Sequence, residues 1–188
     1  MVGKLNLIVG PMYSGKTSEI ISRYHRHNVI GKKCVFIKYN GDNRYSLEDK
    51  IVSHNFIEKN AIATDLLNKV DEIVQDFDII LVDEIQFYSD ACFFCDKWAN
   101  DGKIVEACGL NGDFERKPFE QVNGLIAKSD NIYHLKAIGK DGNYAPFTTR
   151  LSNDKQQKLI GGIGMYEAMS RKDYIEFNKR KLFQYETI

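Results

Sequence analysis

A short glycine-containing run near the start of the 188-residue chain has the spacing of a known chemical motif. It fits the pattern G-x-x-x-x-G-K-[ST] and lies between a predicted strand and a predicted helix, which is the context that the motif requires. Glycines let backbone N–H groups turn toward an anion, and the helix N-terminus adds its dipole. Lys16 would reach the β and γ phosphates of a nucleotide, and Thr17 would offer a hydroxyl to Mg²⁺. The predicted phosphate loop consists of Gly10, Pro11, Met12, Tyr13, Ser14, Gly15, Lys16 and Thr17.

Two acids, Asp83 and Glu84, directly follow the apolar residues 79–82. A phosphate-loop enzyme needs a carboxylate at the end of a neighbouring strand to hold the metal or its water, and Asp83 is the candidate. The second carboxylate, Glu84, could take a proton from an attacking hydroxyl or water. Such an acid pair after a strand is also typical of a DExx ATPase, so the pair alone leaves both classes open.

Elements that could position these residues alternate along the first three quarters of the chain. Strands are predicted at residues 5–9, 34–39, 77–82, 103–108 and 132–138. Helices are predicted at residues 17–28, 64–75, 90–100 and 119–128, the third with Ser89 or Asp90 as its N-cap. The alternation predicts an α/β fold of the P-loop, RecA-like type, with a central parallel sheet flanked by helices.

The composition changes after residue 138. Polar, turn-rich segments at residues 139–143 and 152–158 lie around Pro146 and ahead of two adjacent glycines, and a closing helix is predicted near residues 166–181. We therefore expect a nucleotide-binding core at residues 1–138 and a small C-terminal subdomain at residues 139–188.

Composition and charge limit the class of protein. With 26 basic and 26 acidic residues the net charge is 0, so no overall field would draw the chain to nucleic acid or to an anionic membrane. The apolar run at residues 79–82, like every other apolar run in the sequence, is far shorter than the roughly 20 residues of a membrane-spanning helix. Because the first motif begins at Gly10, we also expect no cleavable leader.

The cysteines indicate a reducing compartment. Four of them, unevenly spaced at Cys34, Cys92, Cys95 and Cys108, are too few for a secreted disulfide framework, so a cytoplasmic location is expected. Cys92 and Cys95 match C-x-x-C, but no second cysteine pair completes a zinc site. We interpret them as two thiols one turn apart on a packed helix face.

In the order and spacing of its motifs the sequence resembles the cellular-type (class II) thymidine kinases. The motifs are GPMYSGKT at 10–17, DNRY at 42–45, SH at 53–54, DEIQF at 83–87, GLNGDFERKPF at 109–119, FTTR at 147–150, and IGG at 160–162 ahead of Tyr166. They cover nearly the whole chain. The resemblance implies deoxynucleotide salvage by ATP-dependent phosphorylation of the thymidine 5′-hydroxyl, giving thymidine monophosphate and ADP, with Mg²⁺ as cofactor.

The resemblance also implies roles for the polar residues. Lys16 matches a ligand of the ATP phosphates, Glu84 the general base, and Thr17 and Asp83 the magnesium ligands, partly through water. Asp42 and Arg44 match a polar pair near the transferred phosphoryl group, where Arg44 would stabilise charge on the equatorial oxygens. From the residues alone, an ion pair on a surface turn is the better explanation of Asp42 and Arg44.

A thymine pocket is implied as well. It would be lined by Met12, Phe87, Leu110, Phe114, Thr148 and Tyr166 and covered by a lasso-like C-terminal loop. Backbone groups of Leu159, Ile160, Gly161 and Gly162 would meet the base edge, because glycine lets backbone approach a ligand closely. Individually, the two phenylalanines could be core aromatics and the glycine pair a turn before the last helix.

One family feature is missing from this sequence. Most members tie the root of the C-terminal loop with a structural zinc held by two C-x-x-C pairs. Here Gly139, Gly142, Ser170 and Asp173 stand at those positions, and they cannot make a closed tetrahedral zinc site. We therefore expect no structural zinc, with packing, subunit contacts or loop mobility in its place.

Partners follow from the same resemblance. Thymidine and ATP are the expected small-molecule substrates, thymidine triphosphate a feedback inhibitor, and a homotetramer the assembly, with no nucleic-acid and no membrane partner. Two alternatives remain at this stage. One is a nucleic-acid-dependent ATPase of the DExx or RecA type, and the other is a catalytically silent nucleotide-binding module.

Overall fold

A computed structural model describes residues 2–41, 50–52, 58–161 and 164–185. In chain order the elements are β1 (Lys4–Gly10), α1 (Lys16–Val29), β2 (Cys34–Tyr39), β3 (Lys50–Val52), β4 (Glu58–Asn60), β5 (Ile62–Thr64), α2 (Asp71–Val74), β6 (Ile79–Val82), α3 (Ala91–Asn100), β7 (Ile104–Leu110), α4 (Glu120–Ile126), β8 (Asn131–His134), β9 (Ala137–Ile138), β10 (Tyr144–Ala145), β11 (Phe147–Arg150), β12 (Tyr166–Met169) and α5 (Arg171–Tyr185). Two short 3₁₀ helices lie at Leu67–Val70 and Ile85–Phe87. Within the described stretches, no helix has the length and apolar character needed to cross a bilayer.

The central sheet has six parallel strands in the order β5-β2-β6-β7-β1-β8, which confirms the predicted α/β fold. Parallel strands end at a common edge, and ligands of open α/β sheets bind outside those carboxyl ends. The predicted phosphate loop follows β1, the acid pair follows β6, and β7 runs between these two strands. The sheet therefore places both motifs at one edge.

Helices cover the sheet on both faces because alternate residues of its strands point to opposite sides. Leu7 of β1 and Ile80 of β6 pack on the face that carries Trp98 of α3. Ile8 and Leu81 pack on the opposite face, against α1. All of these strand side chains are fully buried, so the strands that carry the two motifs are held rigidly.

The predicted helix at residues 64–75 is wrong in part. Thr64 ends strand β5 instead, its hydroxyl donates to the Leu66 carbonyl, and helical structure begins only at the 3₁₀ helix Leu67–Val70. Asp90 stands at the predicted N-cap position of α3, but its carboxylate accepts the N–H groups of Leu67 and Asn68 and so caps that 3₁₀ helix. A contact across 22 residues of chain thus decides where the helix starts.

Two further predicted elements are divided in the structure. Residues 132–138 form β8, which pairs with β1, and β9, which leaves the sheet and pairs antiparallel with β10. Residues 166–181 begin as β12, which pairs antiparallel with β11, and α5 starts after Ser170. The Ser170 hydroxyl accepts the Asp173 N–H, which is the usual bond of a helix N-terminus.

Candidate active site

The phosphate loop leaves β1 and enters α1 through two glycines. A Cβ on Gly10 would lie 2.6 Å from Ser14 Oγ and 2.7 Å from the Leu135 carbonyl oxygen, so only glycine fits there. Gly15 has a φ of 82°, in the left-handed region that glycine adopts without strain. The Ser14 hydroxyl donates to the Pro11 carbonyl and tightens the turn.

Lys16 and Thr17 open α1 and face the end of β6. The Lys16 ammonium is buried and donates to the Pro11 carbonyl oxygen at 2.7 Å. The Thr17 hydroxyl donates to Asp83 Oδ2 at 3.1 Å. A hydroxyl and a carboxylate oxygen side by side are the hard oxygen ligands that Mg²⁺ prefers, so these residues fit a magnesium site beside the loop.

Asp83 is held from three sides. Besides the Thr17 hydroxyl, it accepts the Glu84 N–H at 2.9 Å and the Cys108 thiol at 2.8 Å, both on Oδ1. Burial, followed by the Asp83 carboxylate, raises the pKa of the Cys108 thiol well above its ordinary value, which keeps the thiol protonated as a donor. The carboxylate orientation is therefore fixed by β7 as well as by the phosphate loop.

Glu84 has an unusual backbone conformation. Its φ is 54°, which is uncommon for a residue other than glycine and is typical of sites where the surrounding structure imposes a conformation. The Glu84 N–H donates to Asp83, and the Glu84 carbonyl accepts the Phe87 N–H at 3.0 Å. Gln86 Nε2 donates to Glu84 Oε2 at 2.5 Å.

A cavity of about 830 Å³, including its mouth, brings most of the predicted site residues together. Its walls are formed by two groups of residues that come from several separate segments of the chain. From the phosphate loop and the acid pair come Met12, Tyr13, Gly15, Lys16, Thr17 and Glu84. From the predicted nucleoside side come Phe87, Leu110, Phe114, Thr148, Leu159, Ile160, Gly161 and Tyr166.

The other predicted site residues fall into two groups. Gly10, Pro11, Ser14 and Asp83 shape the loop and the strand end but do not line the cavity. Asp42, Arg44 and Gly162 lie outside the described residues, as do Ser53 and His54.

Arg150 organises the loop over the nucleoside side. Its guanidinium is buried, donates to the Tyr166 hydroxyl at 2.8 Å and to the carbonyl of Asp154 at 3.0 Å, and also bonds the Gln156 carbonyl. The Tyr166 hydroxyl in turn donates to the Leu159 carbonyl at 2.7 Å. Residues 151–161 are thus tied to β11 and β12 at several points.

Several residues of the cavity were missed by the sequence reasoning. They are Ser18, Gln86, Asp113, Phe119, Arg150, Gln157 and Lys158. Arg150 lies in the FTTR motif and Gln86 in the DEIQF motif. Their position as polar residues inside a motif was the only sequence signal that could have identified them as site residues. Asp113 and Gln157 meet through a bond of 3.0 Å across 44 residues, which no local pattern indicates.

Hydrogen bonds stabilise the hairpin that carries Gly139 and Gly142, two of the positions where zinc ligands are absent. In the β9–β10 hairpin the Asp141 carboxylate accepts the N–H and the side-chain amide of Asn143, each at 3.0 Å. These hydrogen bonds lower the pKa of Asp141 below its ordinary value of 3.8. The bond from the Asn143 side chain has the largest effect, followed by the bond from the Asn143 backbone N–H and then by the Ser170 hydroxyl. Across the described part of the chain, no group of three or more His, Cys, Asp or Glu side chains is arranged to hold a metal.

A parallel sheet with a phosphate loop after one strand, an acid pair after another and a cavity with a charged side and an apolar side is the arrangement of a P-loop phosphotransferase. The sequence model of a family described as "Thymidine kinase" matches residues 3–174. A thymidine kinase of Variola virus is 41% identical over 175 residues, which is 93% of this chain and 98% of that protein. A thymidine kinase of Vaccinia virus strain Western Reserve is 40% identical over 93% of this chain and 98% of that protein. A thymidine kinase of Raccoon poxvirus is also 40% identical, over 92% of this chain and 97% of that protein.

This chain belongs to the thymidine kinase family. It is a phosphotransferase that phosphorylates thymidine, and neither the nucleic-acid-dependent ATPase nor the silent nucleotide-binding module is favoured.

Proposed function

We propose that the chain transfers the γ-phosphoryl group of ATP to the 5′-hydroxyl of thymidine, giving thymidine 5′-monophosphate and ADP. One observation carries this proposal. Glu84 lines a single cavity together with Lys16 and Thr17 on the phosphate-loop side and the Phe87 and Phe114 rings on the apolar side. A carboxylate between a phosphate site and an apolar slot is where a base for the acceptor hydroxyl is needed.

The phosphate loop would hold ATP. Backbone N–H groups of the loop and the N-terminus of α1 would bind the phosphates, and Lys16 would exchange its bond to the Pro11 carbonyl for the β and γ phosphates. Thr17 and Asp83 would hold Mg²⁺, partly through water. When bound, the ion neutralises charge on the phosphate oxygens.

Glu84 would act as the general base. As the 5′-oxygen of thymidine bonds to the γ-phosphorus, the bond from that phosphorus to the β–γ bridging oxygen breaks and ADP leaves. The proton of the 5′-hydroxyl passes to the Glu84 carboxylate. The bonds that hold Glu84 in its left-handed conformation keep this carboxylate on the cavity wall.

The apolar side would hold the base. Met12, Phe87, Leu110 and Phe114 provide an apolar and aromatic slot, and a few polar groups at its rim fix orientation. A Cβ on Gly161 would lie 2.6 Å from Met165 Sδ, so the glycine lets the loop backbone approach the slot without displacing the Met165 side chain. We retain Arg44 and Asp42 as the polar pair near the transferred phosphoryl group.

Four other properties of the protein remain predictions. They are a cytoplasmic location, a homotetramer, inhibition by thymidine triphosphate, and the division into a core at residues 1–138 and a lasso-like subdomain at residues 139–188. The β9–β10 hairpin, at Ala137–Ile138 and Tyr144–Ala145, spans that division.

Product analysis tests the proposal. Incubation with Mg–ATP and thymidine should give phosphate on the 5′-oxygen, as read by phosphorus–proton coupling in NMR, and a chelator should abolish turnover until Mg²⁺ is restored. Lys16→Met should lower kcat/KM for ATP by about 10²-fold or more, because the cation that meets the transferred phosphate is lost. The control Lys69→Met removes an exposed lysine paired with Asp65 and should leave kinetics unchanged. Phosphate on the 3′-oxygen, or full activity without Mg²⁺, would contradict the proposal.

A further inference from the structure

We propose that Gln86 is a positioning residue for the reaction, one that aims the Glu84 carboxylate through a side-chain hydrogen bond. The inference rests on the proposed role of Glu84 as the base. Gln86 Nε2 lies 2.5 Å from Glu84 Oε2, and the Gln86 side chain is almost completely buried. Gln86 was no part of the predicted site, although it lies in the DEIQF motif.

The orientation of the Gln86 amide is fixed by β7. Its Oε1 accepts the Leu110 N–H at 3.1 Å, and a backbone N–H can only donate. The other end of the amide is therefore the NH₂ group, which can only donate, and it points at the Glu84 carboxylate. No rotation of the amide satisfies both partners in the opposite sense.

The space for this arrangement comes from Gly109. A Cβ at that position would lie 2.6 Å from Gln86 Oε1 and 2.5 Å from Ile85 Cγ1. Gly109 therefore leaves room for the Gln86 amide to reach from the 3₁₀ helix to β7. Three elements of the fold, the end of β6, the 3₁₀ helix and the end of β7, meet through one amide group.

The geometry matters because the base must sit within hydrogen-bond reach of the hydroxyl that it deprotonates. A glutamate side chain has several rotatable bonds, and one directional hydrogen bond to Oε2 restricts the orientations that the carboxylate can adopt. Misplacement of a reacting group by about 1 Å can lower a rate by about 10²-fold. Substrate binding, in contrast, depends on the apolar slot and should change little.

The test is a double-mutant cycle in steady-state kinetics with thymidine and Mg–ATP. Gln86→Met keeps the length and apolar volume of the side chain but removes both amide groups. We expect kcat to fall about 10- to 100-fold while the KM for thymidine stays within about threefold. In the Glu84→Gln background the same substitution should lower kcat by less than about twofold, because a residue that acts through Glu84 has nothing left to position.

A matched control exists on α4. The Gln121 side chain accepts the Cys92 N–H at 2.9 Å and does not line the cavity, so Gln121→Met removes the same kind of side-chain to backbone bond at a distant place. Its kcat should equal that of the parent. If Gln86→Met does not fold, as judged by circular dichroism and ATP binding, Gln86→Glu replaces it. That variant keeps the oxygen for the Leu110 N–H, has no amide donor, and should also show a lowered kcat.

The outcomes distinguish the positioning role of Gln86 from the base role of Glu84. Parent-like kcat in a folded Gln86 variant, or an equal fall in both backgrounds, overturns the positioning role and leaves Glu84 as the base. Parent-like kcat in Glu84→Gln alone overturns the proposed base itself.

Discussion

The hydroxyl oxygen of Thr148 accepts the backbone N–H of Met12 at 3.0 Å. This bond spans 136 residues of chain and joins β11 to the phosphate loop at the wall of the cavity. The phosphate side and the nucleoside side of the site are therefore held in fixed register by a buried polar contact. A shift of β11 would disturb the phosphate loop as well as the slot.

Replacing this threonine with its isostere tests the coupling. Thr148→Val leaves the Met12 N–H without its acceptor, and an unsatisfied buried donor costs about 1–3 kcal/mol. We expect kcat/KM for thymidine to fall about 10-fold, together with a lower midpoint of thermal unfolding. The neighbouring Thr149→Val is the matched control, since no described residue bonds the buried Thr149 hydroxyl. An equal loss of activity in both variants would argue against the coupling.

Much of this arrangement could be predicted from local sequence. The phosphate loop, the acid pair and five of the six strands of the central sheet carry strong short-range patterns, and the structure has strands at those five places. The hairpin strands β3 and β4 and the sheet strand β5 have three residues each, which is too short for an apolar period to register. Strand β12 was predicted as helix because only its partner β11, distant along the chain, makes it a strand.

The missed side chains share a physical cause. The role of Gln86 depends on the Leu110 N–H and on the space above Gly109, and Arg150 depends on carbonyl groups of the loop that it organises. Such roles arise from backbone groups, which are the same for every residue type. Residue types and spacing therefore indicated which segments form the site, but not which polar residues hold it together.

The Cys108 thiol should influence magnesium use through Asp83. Cys108→Ala removes one hydrogen-bond donor to that carboxylate. Substitution of a residue that bonds a metal ligand commonly lowers metal affinity by about 10-fold or more. We expect a higher Mg²⁺ concentration for half-maximal activity in Cys108→Ala, and a value near that of the parent in Cys108→Ser. Cys95→Ala removes a fully buried thiol from α3 without touching Asp83 and serves as the control. The same magnesium requirement in all four proteins would reject the role of Cys108.

Asp141 should stabilise the C-terminal hairpin in a pH-dependent way. Hydrogen bonds from Asn143 lower the pKa of this carboxyl in the folded protein below its ordinary value of 3.8. Its contribution is therefore fully present above that ordinary value and is lost as the pH falls through the lowered pKa. Asp141→Asn should unfold at a slightly lower temperature than the parent at pH 7, and the difference should shrink and then vanish as the pH falls below 3.8 and through the lowered pKa. Asp76→Asn, at an exposed position after α2, is the control. A difference that persists unchanged in acid would contradict this assignment.

We also expect no zinc to copurify with the protein. Gly139, Gly142, Ser170 and Asp173 offer no thiolate where two cysteine pairs would be needed, and Cys92 and Cys95 lie on α3. Elemental analysis of the purified protein checks this, and activity should survive a chelator once Mg²⁺ is restored. One tightly held zinc per chain would show that other residues supply the ligands.

The base role of Glu84 is the central claim, and single-turnover transfer measured by rapid quench tests it most directly, because product release can hide a slowed chemical step in steady-state rates. With ATP and Mg²⁺ bound and thymidine mixed in, Glu84→Gln should form thymidine monophosphate about 10²- to 10⁴-fold more slowly than the parent. ATP binding should be unchanged. The control Glu72→Gln, at an exposed position on α2, should match the parent. A single-turnover rate for Glu84→Gln equal to that of the parent would contradict the account.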